Sequence, residues 1–150
     1  MPKVDPRNIA YVSLRDFEEE EAFLIRKHNI KSYNTCSLIN FGTENVVNQL
    51  LNQLSGCTDI YVSFDVDCLD ASISKGTGLP VKGGIMPWEA ELLTGLLLQS
   101  PKIAGFELTE LNPLLDTDNQ TTTLAYRILE KGIESIKNQH HSRHRKMLTE

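Results

Sequence analysis

The sequence predicts an α/β fold, a parallel sheet flanked by helices, and three observations carry that expectation. Runs rich in β-branched and aromatic residues alternate with longer stretches of helical apolar spacing. The segments between the runs are long enough for parallel crossovers. The run from Ile60 to Phe64 reads as a strand buried within such a sheet. At 150 residues the chain is one domain's worth, without an internal repeat, a low-complexity segment or an interdomain linker. The folded part is expected over 1–137, and 138–150 is expected to be a polar, basic, disordered tail.

Taken in order, an irregular lead-in with Pro2 and Pro6 precedes a first strand over 9–14, which breaks at Arg15 and Asp16. The acids from Glu18 to Glu21 open a helix, where they complement the positive end of its dipole, and Asn29 stops it. Residues 30–37 are expected to be a short extended segment, punctuated over 40–42. Thr43 can cap the next helix, in which Val46, Val47, Leu50, Leu51 and Leu54 share one face before Gly56. After the strand that starts at Ile60 comes a glycine-rich loop, then a helix over 88–99 opened by Pro87 and built on Leu92, Leu93, Leu96 and Leu97. A strand over 102–111 follows. The last helix is expected over 121–136, with Leu124, Ile128, Leu129 and Ile133 on its inner face.

Composition narrows the function. A net charge of −5 with dispersed basic residues points away from nucleic acid. No apolar run approaches the roughly eighteen residues needed to cross a membrane, and the Met1 region lacks the apolar core of a signal peptide. Three cysteines, Cys36, Cys57 and Cys68, lie without metal-site spacing, so a reduced, cytoplasmic setting is expected.

The chemistry concentrates in IYVSFDVDCLDASISKGTGLPVKGG, residues 60–84. Alternation along a strand would put Asp65 and Asp67 on one side and turn Val66 into the apolar layer. Two carboxylates that close stay ionised together only with a cation between them. The plainer alternative is that each acid forms a turn or caps a helix. The glycines let the following loop fold tightly against the site, at the strand edge where α/β folds bind ligands.

SFDVDCLD followed by GTGLP and GG resembles the signature of the ureohydrolases: arginases, agmatinases and formiminoglutamases. Three further blocks, IAYVSLRDFEEEE, KHNIKSYNTCSLINFG and GFELTELNPLLDTDNQTTTLAYRIL, are similar to arginases in family order, and ELNPLLD with NQT favours arginase over agmatinase. The resemblance implies the C-terminal half of a three-layer α/β/α fold and a manganese enzyme that hydrolyses arginine to ornithine and urea. It places Asp65 and Asp67 at manganese-binding positions and Glu110 where the family receives the substrate's guanidinium, which a carboxylate can grip in a bidentate fork. It places Glu18 and Glu21 on the acids facing the α-amino group, beside their equally good reading as helix-dipole partners. Asp70 is expected to tie the turn.

The chain also departs from the pattern. The family's earlier histidine and aspartate ligands have no counterpart, and the only histidines are His28, His140, His141 and His144. His28 reads as solvated, and a metal role for the other three is a remote alternative. Ala71 stands where the family has proline, and Leu79 where arginases carry threonine. The expectation is therefore weak manganese binding and little or no hydrolysis by this chain alone, with completion by a missing N-terminal half or by homo-oligomerisation and a small guanidino substrate. The alternatives are an agmatinase or other ureohydrolase fragment, or a non-catalytic assembly or regulatory chain that keeps the fold. A haloacid dehalogenase type of phosphotransferase also places DxD after a strand, but Leu69 and the missing downstream motifs disfavour it.

Overall fold

Within a computed structural model, residues 4–147 are described, with side chains placed through 138. The elements run β1 (Ala10–Val12), α1 (Glu19–Lys27), β2 (Lys31–Tyr33), α2 (Thr35–Phe41), α3 (Thr43–Gln53), β3 (Ile60–Asp65), α4 (Pro87–Leu97), β4 (Ile103–Thr109) and α5 (Gln120–Met147). The α/β reading holds, with parallel strands flanked by helices. Among the described residues the strands form two separate parallel pairs, β1 with β2 and β3 with β4.

One apolar cluster holds these elements together. Val46, Val47 and Leu50 of α3, Ala90 and Leu93 of α4, and Leu124 and Ile128 of α5 pack with Phe64 of β3 and with Val66. The opposite side of β3 presents Tyr61, Ser63 and Asp65 to solvent, although parallel sheets are usually covered on both faces. Helix α1 is similarly uncovered: of its residues only Ala22 is buried, while Phe23 and Leu24 are exposed.

Three expectations are corrected. The extended segment expected over 30–37 holds for Lys31–Tyr33 only, and residues 35–41 are helical, because the Asn34 carboxamide accepts the backbone N–H of Ser37 at 2.9 Å and so caps a helix start. In α5, Leu129 and Ile133 point outward, 38 % and 52 % exposed. The inner face is instead made by Thr121, Leu124, Ala125, Ile128, Gly132 and Ser135, whose several small residues let α4 approach closely. A Cβ on Gly132 would come within 2.6 Å of Leu98. Finally, the last helix runs to Met147 rather than ending at the expected residue 136, and no proline or glycine interrupts 137–147. The last three residues, and the side chains of His140, His141 and His144, lie outside what is described. Among the described residues no helix is long and apolar enough to cross a membrane.

Candidate functional site

The site forms where β1, β3 and β4 end. Strand β3 stops at Asp65, and Val66–Cys68 is a 3-10 turn, which corrects the expectation of strand alternation through Asp67. Asp65 causes the turn: its Oδ1 accepts the backbone N–H of Asp67 at 2.8 Å. The turn-forming role considered for such an acid is thus real for Asp65, whose side chain nonetheless remains exposed. Val66 is fully buried, as the sequence implied, and anchors the turn to the core.

In the register of β3 with β4, Asp65 pairs with Thr109, which brings Glu110 to the same edge. Glu110 has φ 62°, a left-handed conformation that costs a residue with a Cβ roughly 1 kcal/mol or more. Asp67 is the most perturbed acid here. Burial pushes its carboxyl up to about 6, helped by the negative charges of Asp65, Glu110 and Asp16 and opposed by Arg15. The hydroxyl of Thr77, itself buried, donates to Asp67 Oδ1.

The loop after the turn is closed by Asp70, as expected of it. Its carboxylate accepts the backbone N–H of Ser72 at 2.9 Å, of Gly83 at 2.7 Å and of Gly84 at 3.3 Å. Hydrogen bonds from Ser72 come first among the causes that hold its pKa down at about 2. The far end of the loop is tied to the start of α5, where Thr121 Oγ1 accepts the N–H of Gly76 at 2.8 Å. Asp116, in turn, accepts from the backbone N–H groups of Thr121 and Thr122 at 3.1 and 2.7 Å. Asp70→Asn should cost about 1–2 kcal/mol at neutral pH, because charge-assisted bonds become neutral ones and one oxygen becomes a donor facing donors. Urea denaturation at pH 7 checks this, and an unchanged midpoint would refute it.

Glu18 and Glu21 lie on the exposed start of α1, where Glu21 Oε2 accepts the backbone N–H of Glu18 at 2.8 Å. That contact caps the helix start, a local role in addition to the helix-dipole partnership expected of them. Three residues gained no role from sequence reasoning: Arg15, Asp16 and Thr77. Arg15 and Asp16 looked like strand breakers, yet a charged pair just past a strand's carboxyl end was a signal. For Thr77 the signal was a hydroxyl between two glycines inside the tight loop.

The arginase family's sequence profile matches residues 1–133. The chain belongs to the arginase family. It is 33 % identical over 129 residues to the arginase of Bacillus subtilis, covering 86 % of this chain and 44 % of that one. The crystal structure of Helicobacter pylori arginase superposes with a TM-score of 0.84 at 28 % identity, over 91 % of this chain and 46 % of that one. The formimidoylglutamase of Bacillus subtilis, 24 % identical, shares the fold with a TM-score of 0.82, over 89 % of this chain and 42 % of that one. The chain thus spans about two fifths of the length of the curated relatives it matches.

Membership raises the question of manganese, which the donor chemistry can answer in part. Asp65 and Asp67 are hard oxygen donors side by side, with more negative charge at the strand ends than Arg15 offsets. Among the described residues, however, no group of three or more His, Cys, Asp or Glu side chains is placed to hold a metal ion. The residues present fit part of a divalent-cation site and do not fit a complete two-ion centre.

Proposed function

We propose that this chain supplies one part of an arginase-type manganese hydrolase that converts arginine to ornithine and urea. The observation that carries the reading is the meeting of Asp65, Asp67 and Glu110 at two adjacent strand ends, close enough that Asp65 and Glu110 both raise the Asp67 carboxyl. Asp65 and Asp67 would hold manganese, which when bound supplies a water acidic enough to act as a nucleophile at neutral pH. Glu110 would orient the planar guanidinium through paired hydrogen bonds. Glu18 and Glu21 would face the substrate's α-amino group from the start of α1. The remaining donors must come from polypeptide beyond these residues. The exposed side of β3 and the uncovered Phe23 and Leu24 support a protein partner of that kind, either further arginase-family sequence or a second copy.

Titration with Mn²⁺ by calorimetry tests the reading. The chain alone should bind weakly, Asp65→Ala and Asp67→Ala should each abolish the binding, and arginine hydrolysis should stay at background. Adding a polypeptide that carries the family's histidine ligands should tighten binding and yield urea from arginine in preference to agmatine, which lacks the carboxylate. Binding unaffected by either alanine would refute the assignment.

A further inference from the structure

Arg15 makes an unusual set of contacts for a half-buried arginine. Nη1 donates to the carbonyl and the hydroxyl of Ser13, both at 3.0 Å, and to the carbonyl of Cys68 at 2.7 Å. Nη2 donates to the carbonyls of Asp67, Leu69 and Val81, the last two at 3.2 Å. Among the described residues no carboxylate lies within ion-pair distance of it. Its positive charge is spent on backbone oxygens drawn from the end of β1, the turn after β3 and the far side of the glycine-rich loop.

The chain folds to make this convergence possible. Ser13 takes the left-handed conformation, φ 60°, which redirects the backbone as it leaves β1. Its buried hydroxyl also donates to the Cys68 carbonyl at 3.2 Å. Three successive carbonyls, those of Asp67, Cys68 and Leu69, then face one planar group. A 3-10 turn of three residues cannot by itself hold these carbonyls in line, because its own hydrogen bonds are few and poorly aligned. A guanidinium can, since its donors form a rigid fork, whereas an ammonium offers three donors on a rotatable stem.

We propose that Arg15 is a positioning residue for Asp67: by fixing the peptide planes that follow Asp67, it sets the direction in which that carboxylate leaves the turn, and Thr77 holds the side chain from the other end. This rests on the reading of Asp67 as a cation donor. The role is that of an outer partner orienting a ligand through the backbone, and losing such partners typically weakens metal binding about 10–100-fold.

The test uses the full 150-residue chain as wild type, Arg15→Lys and Arg15→Gln. Amide exchange in α3, α4 and α5 first establishes that each variant is folded, Arg15→Lys being the milder change if Arg15→Gln is not. Side-chain NMR couplings of Asp67 in metal-free protein are the primary readout. They should report a single rotamer in the wild type and averaging in Arg15→Lys, with faster exchange of the Asp67, Leu69 and Asp70 amides. An Asp67 rotamer equally fixed in Arg15→Lys would overturn the proposal, even with faster amide exchange, since Arg15 would then be a staple only. Mn²⁺ alone is the second probe, and its affinity should fall about tenfold in Arg15→Lys. Unchanged affinity would also overturn the proposal. If the wild type takes up no Mn²⁺, it is the reading of Asp67 as a donor that has failed, and the rotamer measurement still decides what Arg15 does.

Discussion

Gly84→Ala should destabilise the chain by roughly 3 kcal/mol or more, the upper range of overpacking costs. A Cβ at this position would lie 2.3 Å from the carbonyl carbon of Leu69, 2.4 Å from the nitrogen of Asp70 and 2.5 Å from the oxygen of Leu69. All three are backbone atoms, so no side chain can swing aside to relieve the clash. The backbone cannot easily move either, because the Ile85 N–H donates to Cys68 at 3.0 Å and the Asp70 N–H donates to Ile85 at 3.1 Å, locking the two segments in register. A domain whose whole stability is of order 5–15 kcal/mol loses a large fraction of it. Gly78→Ala is the control: nothing lies within 4 Å of its Cβ direction, so the change should stay within about 0.5 kcal/mol. Urea denaturation of the two variants compares them directly. Equal midpoints would mean that the loop does not pack against the turn as described.

That close approach explains why much of the site was legible in the sequence. The acids Asp65, Asp67 and Asp70 and the glycines after them are local features, and local chemistry fixes their geometry: an acid turns the chain at Asp65, and another gathers amides at Asp70. Val66 could be assigned to the core because it is the apolar residue between two acids. The helices α3 and α4 carried strong apolar spacing, and the inner faces found there include Val46, Val47, Leu50 and Leu93.

What the sequence hid depends on contacts between distant segments. Arg15 is read by carbonyls more than fifty positions away, and a carbonyl leaves no trace in residue identity. Helix α2 was hidden because its start is fixed by a single asparagine side chain and only Leu38 in it is buried. For α5 two apolar stripes compete for the inside. Packing selected the one with Ala125, Gly132 and Ser135, since helices come closest where side chains are smallest.

The second large effect concerns Asp67, whose proposed role as a cation donor pulls against the stability of the fold. Burial first, and then the charge of Asp65, push its carboxyl in the folded chain up to about 6 from the ordinary aspartate value of 3.8. The folded state therefore holds this proton more tightly than the unfolded state. The associated stability is fully present below pH about 4 and is lost as the pH rises through about 6. Asp67 is partly open to solvent, so screening limits the expected cost of its charge to about 1 kcal/mol. Asp67→Asn keeps an oxygen for the Thr77 hydroxyl and removes the charge. It should be more stable than the parent by about 1 kcal/mol at pH 8 and equal to it at pH 4, while losing divalent-cation binding altogether. Asp70→Asn, three residues along, should move the other way at neutral pH, because amides rather than carboxylates surround Asp70. A denaturation series from pH 4 to 8 separates them. An Asp67→Asn variant no more stable than the parent at pH 8 would show that neither burial nor the neighbouring acids make the Asp67 charge costly. The expected gain would instead show that the fold tolerates an unfavourable carboxylate at the position where a divalent cation would neutralise it.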